Sequence, residues 1–264
     1  MSQFEINTLF DVKGKIVLIT GGTRGIGLMM ARGFVANGAK VYISSRTASV
    51  CQEVSRELSE IGFCKAIQAD LSSKEGRLAL LDQFRACESR LDVLINNAGA
   101  AWGATIQEHS EEAYDKVMDL NLKAMFFLSR DLIPVLSNNT VGDPSRIINI
   151  GSIDGMVVPG HDNPIYSISK VAVHQLTKIL AAKISGLGIT VNAIAPGPFE
   201  SKMTAFMLTK AQREIELANP LKRIGIPEDM AGIALFLSSK AASYINGVVI
   251  PVDGGLHLKS YQFI

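Results

Sequence analysis

A short β-branched apolar run, Lys15-Ile-Val-Leu-Ile-Thr20, passes directly into Gly21-Gly-Thr-Arg-Gly25-Ile-Gly27, and a helix-like segment from Leu28 to Asn37 follows. Gly38 closes that segment, and a second apolar run, Lys40 to Ser44, comes next. Apolar runs of this length suit strands buried on both faces, as in a parallel sheet covered by helices. Strand, glycine turn, helix and strand within about thirty residues make a βαβ unit with a dinucleotide-binding turn. Glycine lets the backbone approach a pyrophosphate, and the last one lets the helix pack closely on the strand. The helix amino terminus then offers free N–H groups to the phosphates. The spacing is Gly-x-x-x-Gly-x-Gly rather than Gly-x-Gly-x-x-Gly, so its place between a strand and a helix carries the meaning.

Further units of the same kind follow. Cys64 to Ala69 reads as a third strand ending at Asp70-Leu71, with a helix from about Lys74 to Glu88 and a fourth strand at Leu91 to Ile95. Asn96-Asn-Ala-Gly99 comes directly after it, and small residues at the end of a parallel strand again permit a ligand to approach. Helical segments at Glu111 to Leu120 and Asn121 to Leu136 lead to a strand at Arg146 to Ile150 and then to Gly151-Ser152. A sixth strand, Ile189 to Ile194, ends at Pro196-Gly197-Pro198; Pro227 opens a last helix and Val248 to Pro251 closes the sheet. The expectation is an α/β fold of the Rossmann type: one doubly wound parallel sheet of about seven strands with helices on both faces. One domain accounts for residues 1–264, with 199–226 as an insertion, and no repeat or linker interrupts it.

Net charge is +1 over 264 residues with no basic block, which argues against nucleic acid or an anionic membrane as partner. Small molecules and copies of the chain itself are the expected partners. With 47% hydrophobic and 19% charged residues the chain can fill a large core, yet no stretch reaches the roughly 18 apolar residues of a membrane span. Three cysteines, Cys51, Cys64 and Cys87, sit among apolar neighbours without metal-ligand spacing, which fits a reducing cytoplasm.

Pro164 at a first helical turn opens a segment in which Ile165, Ile168, Ala172, Leu176 and Ile179 form an apolar stripe. Tyr166 and Lys170 lie four apart in it, so both heads share one face. A free tyrosine loses its proton near pH 10, and a neighbouring ammonium lowers that value by stabilising the phenolate. Taken alone, such a pair is usually a solvated helix face.

It does not stand alone. Thr20-Gly-Gly-Thr-Arg-Gly-Ile-Gly27, Asn96-Asn-Ala-Gly99, Ser152, Tyr166-x-x-x-Lys170 and Pro196-Gly197 occur in this order over nearly the whole chain. In these motifs the sequence resembles the short-chain dehydrogenase/reductase family, and within it the 3-oxoacyl-(acyl carrier protein) reductases, including the rhamnolipid-associated type. The resemblance implies that Tyr166 is the general acid and base, that Lys170 lowers its pKa and holds the nicotinamide ribose, and that Ser152 binds the substrate carbonyl. It also implies that Asn121 holds a water linking Lys170 to solvent. The implied cofactor positions are Gly21, Thr23, Arg24, Gly25, Ile26 and Gly27, then Ser45 and Arg46, Asp70 and Leu71, Asn97, Ala98 and Gly99, Tyr166 and Lys170, and Pro196 and Gly197. Ser152 precedes Tyr166 by 14 positions (166 − 152), one more than is usual in the family. An enoyl reductase would show a longer step from Tyr to Lys. No metal is called for.

An NAD enzyme carries an acid at the end of the second strand for the ribose 2′-hydroxyl. Ser45 stands there instead, and Arg46 and Arg24 can converge on a 2′-phosphate, so NADP(H) is the expected cofactor. His161 and Asp162 read as loop polars, His174 as a satisfied helix or interface histidine, and Trp102 either as a buried side chain or as part of the cleft. Phe199, Met203, Phe206, Met207 and Leu208 after Pro198 fit a lid over an apolar substrate tail, such as a 3-oxoacyl thioester; their spacing equally fits an amphipathic helix on the domain. The leading expectation is reduction of a ketone, free or carrier-bound, to a secondary alcohol by a homo-oligomer, a dimer or tetramer assembled through the helices at 121–136 and 165–183. The alternatives are a sugar- or polyol-type dehydrogenase on the same residues and a non-catalytic protein that senses NADP.

Overall fold

The computed structural model describes residues 4–137 and 142–258; the two ends of the expected 1–264 domain and the segment between these ranges lie outside the described residues. A short helix α1 (Ile6–Leu9) precedes β1 (Ile16–Thr20), α2 (Gly25–Ala36), β2 (Lys40–Ser45), α3 (Ala48–Ser59), β3 (Cys64–Gln68), α4 (Lys74–Arg85) and β4 (Val93–Asn96). The second half brings α5 (Glu111–Met118), α6 (Ala124–Leu136), β5 (Ser145–Ile150), α7 (Pro164–Ile184), β6 (Ile189–Pro196), α8 (Ala205–Ala218), α9 (Pro227–Ser238) and β7 (Val249–Val252).

All pairings are parallel, in the order β3-β2-β1-β4-β5-β6-β7. The strands are apolar throughout because each face carries helices. Val17 and Ile19 of β1 pack with Met30 and Phe34 of α2, Leu58 of α3 and Met230 of α9. Leu18 points the other way, into a core with Phe84 of α4, Leu128 of α6 and Val173 of α7. The order of strands reverses between β1 and β4, and at such a switch point the connections leave in opposite directions and open a crevice at the carboxyl ends.

Helix α3 has no counterpart among the elements expected from the sequence. Its buried residues, Cys51, Val54 and Leu58, are few and set among Ser, Glu and Arg, so the stripe is thin. On α7 the expected stripe is only partly the buried face: Ile165 and Leu176 are buried and Ala172 is half-buried. Ile168 and Ile179 are exposed, whereas Ser169, Lys170, Val173, His174, Thr177 and Leu180 are buried against the sheet. Polar side chains join the aliphatic ones on this inner face, where the backbone of Gly151 and Gly155 comes close to His174 and Lys170. Among the described residues no helix is long and apolar enough to cross a membrane.

Candidate active site

The motif residues gather along the carboxyl edge of the sheet. Gly21 to Gly27 link β1 to α2, Ser45 and Arg46 end β2, and Asp70 and Leu71 follow β3. Asn97 to Gly99 follow β4, Ser152 follows β5, Tyr166 and Lys170 lie in the first turns of α7, and Pro196 and Gly197 end β6.

Thr20 organises the turn. Its Oγ1 accepts from the backbone N–H groups of Asn97 and Ala98 at 2.9 and 3.0 Å, and the Asn97 amide donates to the carbonyls of Thr20 and Gly21 at 2.9 and 3.1 Å. Gly21 takes φ +65°, a left-handed conformation natural to glycine, and a Cβ at Gly27 would stand 2.3 Å from the Gly21 carbonyl oxygen. The turn is therefore as tight as a pyrophosphate cradle demands, with the amino terminus of α2 behind it, and a dinucleotide fits these residues. Arg24 and Arg46 are exposed at its outer end, and among the described residues neither forms an ion pair. Asp70 is exposed, but its carboxylate accepts from the N–H and hydroxyl of Ser72; the Leu71 side chain is buried in the core, so only its backbone faces outward.

Asn121 lies on a π-helical turn, Asp119–Lys123, between α5 and α6. Such turns shift a side chain out of helical register and recur at functional sites. Its amide accepts from Ala100 N–H at 2.8 Å and donates to the Ala100 carbonyl and to Ser169 Oγ, which in turn donates to the Tyr166 carbonyl at 2.6 Å. The Asn121 side chain thus ties the Asn-Ala-Gly loop to the start of α7.

Ser152, buried after β5, accepts at Oγ from Asp154 N–H, and its hydroxyl lies near enough to Tyr166 to favour the phenolate. Lys170 Nζ donates to the Ile150 carbonyl at 2.8 Å and stands 5.3 Å from the Tyr166 ring centroid. Burial and, secondarily, the Asp154 carboxylate raise the Tyr166 hydroxyl well above its ordinary value, against the Ser152 hydroxyl. Burial pushes Lys170 down to about 8, with Asp154 opposing. Burial thus keeps the Tyr166 hydroxyl protonated, as a proton donor must be. A protonated phenol and a serine hydroxyl converging on one point can bind a carbonyl oxygen and give it a proton.

Asp154 and its partner were not expected here. Asp154 forms an ion pair with His161 at 3.2 Å, and that bond is the main cause raising the His161 imidazole. Asp154 favours the protonated state of both Tyr166 and Lys170. Replacing it by Asn lowers both, and a reaction that needs both protons then fades at lower pH. The expected result for Asp154→Asn is that the alkaline limb of kcat/KM for ketone reduction moves to lower pH; an unmoved limb in the pH–rate profile would contradict the electrostatic assignment.

A chain of buried polar side chains, the Asn96 and Asn149 amides and the Thr177 hydroxyl, crosses from β4 through β5 to α7. Asn149 was legible in principle, since an amide inside the apolar run Arg146 to Ile150 must find a partner when buried. Among the apolar residues after Pro198, Phe199 and Leu208 are buried, and Phe199 belongs to the core against Gly225; Met203 and Phe206 are exposed. Trp102 is half-exposed under Lys116, whose Nζ is 4.6 Å from the ring centroid.

The comparisons with known proteins agree with this geometry. A family model described as Enoyl-(Acyl carrier protein) reductase matches residues 21–257. The rhamnolipids biosynthesis 3-oxoacyl-[acyl-carrier-protein] reductase of Pseudomonas aeruginosa is 42% identical over 252 residues, 94% of this chain and 98% of that protein. The solved RhlG/NADP active-site complex from the same organism superposes with a TM-score of 0.91 at 41% identity, covering 94% of this chain and 98% of its own. A 2-dehydro-3-deoxy-D-gluconate 5-dehydrogenase of Pseudoalteromonas atlantica is 35% identical over 254 residues, 93% and 97% of the two chains. The glycine turn, the Ser152–Tyr166–Lys170 cluster and relatives that match along almost their full length lead to one conclusion: the chain belongs to the short-chain dehydrogenase/reductase family.

Proposed function

We propose that the protein reduces a 3-oxoacyl thioester to the 3-hydroxy product with NADPH. The reading rests on one observation: Ser152, Tyr166 and the buried Lys170 ammonium are gathered at the end of β5, with Lys170 Nζ bound to the Ile150 carbonyl and 5.3 Å from the Tyr166 ring centroid. The bound nicotinamide supplies a hydride to the carbonyl carbon. Ser152 Oγ and the Tyr166 hydroxyl hold the carbonyl oxygen, and Tyr166 passes its proton to that oxygen as negative charge develops there. Lys170 steadies the phenolate left behind and binds the ribose, while Asn121 keeps the Asn-Ala-Gly loop against α7. Gly21 to Gly27 receive the pyrophosphate, Asn97 to Gly99, Pro196 and Gly197 wall the nicotinamide half, and Asp70 and Leu71 meet the adenine. Support for NADP comes from Arg24, Arg46 and the non-acidic Ser45, and from the NADP complex of a protein 41% identical to this chain.

The substrate tail is read from apolar side chains exposed on three segments that adjoin the site: Trp102 after Asn97–Gly99, Val158 after Ser152, and Met203 and Phe206 after Gly197. Residues 199–226 then serve as a lid, with α8 bent at Ala211 and its base fixed by Asn219, which donates to the Asp253 carbonyl. Each methylene covered adds about 0.8 kcal/mol, so kcat/KM should rise about three- to fourfold per added carbon until the pocket is full. The test is kcat/KM against 3-oxoacyl chain length with a keto sugar alongside. A flat series with a better keto sugar would favour the sugar-dehydrogenase reading, which the gluconate-type relative keeps in play. Absence of any turnover, with NADPH bound, would favour a non-catalytic sensor.

The exposed Phe126 on α6 and Ile168, Val171 and Ile179 on α7 give the two long helices an apolar outer face, and we assign it to self-association in the cytoplasm as a dimer or tetramer. Light scattering at micromolar concentration should return a multiple of 28.4 kDa; a monomer would refute this assembly.

A further inference from the structure

The face of α7 one turn beyond Lys170 carries a histidine for which the chemistry above has no use. His174 is 7% exposed, and its Nε2 has no hydrogen-bond partner. Expected from the sequence to be satisfied, the ring instead fills the inside of the loop that presents Ser152. A Cβ built on Gly151 would stand 2.2 Å from His174 Nε2, and one built on Gly155 would stand 2.8 Å from His174 Cε1. These two glycines bracket Ser152: Gly151 hangs on β6 through its N–H to the Ile194 carbonyl, and Gly155 N–H closes the turn onto the Ser152 carbonyl at 3.0 Å. Gly155 also lies against the Lys170 backbone, where a Cβ would meet the carbonyl carbon at 2.8 Å. The imidazole thus lies against the Gly155 backbone, which favours its protonated form against burial. Burial, with Lys170 and Lys178 adding to it, holds the ring down at about 4, so it is neutral near pH 7.

We propose that His174 is the positioning residue for Ser152: its ring is the template on which the Gly151–Gly155 turn is laid, so that the serine hydroxyl meets Tyr166. A neutral ring is required because a charge facing Lys170 in this space would be repelled. The two glycines are required because any side chain would take the ring's place. The group that touches substrate remains Ser152, and His174 acts through it.

The inference rests on the reductase reading for its assay, and its tests separate the two. Wild-type protein that reduces no ketone fails that reading, whereas active wild type with the wrong pattern among variants fails this one. His174→Ala is expected to lower kcat about ten- to a hundredfold, the scale of a small misplacement of a reacting group, with NADPH affinity unchanged. In a Ser152→Ala background the same change should be nearly silent, because the group it positions is already gone. His174→Asn, which keeps a donor near the Nδ1 position, should recover part of the rate, and it serves for the same cycle should His174→Ala fail to fold. In the ligand-free protein, exchange of the amides of Ile153 to Gly155 should accelerate in His174→Ala while the rest of α7 stays protected. Losses that multiply in full with Ser152→Ala, or unchanged exchange at Ile153 to Gly155, would overturn the proposal.

Discussion

Replacing Tyr166 by Phe is expected to lower kcat for ketone reduction by about 10²- to 10⁴-fold, the usual cost of removing a general acid, while NADPH affinity changes little. The two effects separate because they reside on different elements. Phe keeps the ring over which Lys170 Nζ stands, and so keeps the packing at the start of α7. The pyrophosphate cradle is held by Thr20 and Asn97 on β1 and after β4, with no bond to the phenol. Only the hydroxyl is lost, and with it the proton that the reaction needs. Steady-state kinetics beside a fluorescence titration of NADPH checks both halves. A Phe variant that turned over a good substrate near the wild-type rate would remove Tyr166 from the chemistry.

NADPH should bind about ten- to a hundredfold more tightly than NADH, and Arg46→Ala should erase most of the difference. A charge-assisted bond from a guanidinium to a phosphate contributes about 1.5 to 3 kcal/mol, which is one to two decades in affinity. Arg46 stands at the end of β2 and Arg24 at the amino-terminal cap of α2, both exposed and without an ion pair among the described residues. Ser45 adds no carboxylate to repel the phosphate. Equal affinity of the wild type for the two cofactors would sink this assignment.

The sheet was legible because its strands are short apolar runs that end in glycine or asparagine at the switch point, and both features belong to backbone geometry rather than to any partner. Tyr166 and Lys170 came from helical spacing and Ser152 and Asn121 from the family resemblance, and Ser152, Tyr166 and Lys170 lie together at the end of β5. What stayed hidden depends on distance in space. On α7, Ile168 and Ile179 look like core in a periodicity plot, yet the sheet-facing side must admit the close backbone at Gly151 and Gly155 and so carries Ser169, Lys170 and His174. Phe199 reads as part of a lid, but Gly225 leaves a space that its ring fills, and it becomes core. Asp154 drew no reading from the sequence, because its field on Tyr166 and Lys170 exists only once the loop folds back. The extra residue between Ser152 and Tyr166 falls in a segment where His161 pairs with Asp154, a contact no spacing announces.

The central claim is hydride transfer from NADPH to the carbonyl carbon of a 3-oxoacyl thioester with Tyr166 as proton donor. Its most direct test uses NADPH deuterated on the transferred face of the nicotinamide ring, a medium-chain 3-oxoacyl thioester and mass spectrometry of the product. The account predicts a 3-hydroxyacyl product carrying one deuterium on the carbinol carbon from the wild type and almost none from Tyr166→Phe. No deuterated product with either face labelled, while a keto sugar is reduced under the same conditions, would contradict it.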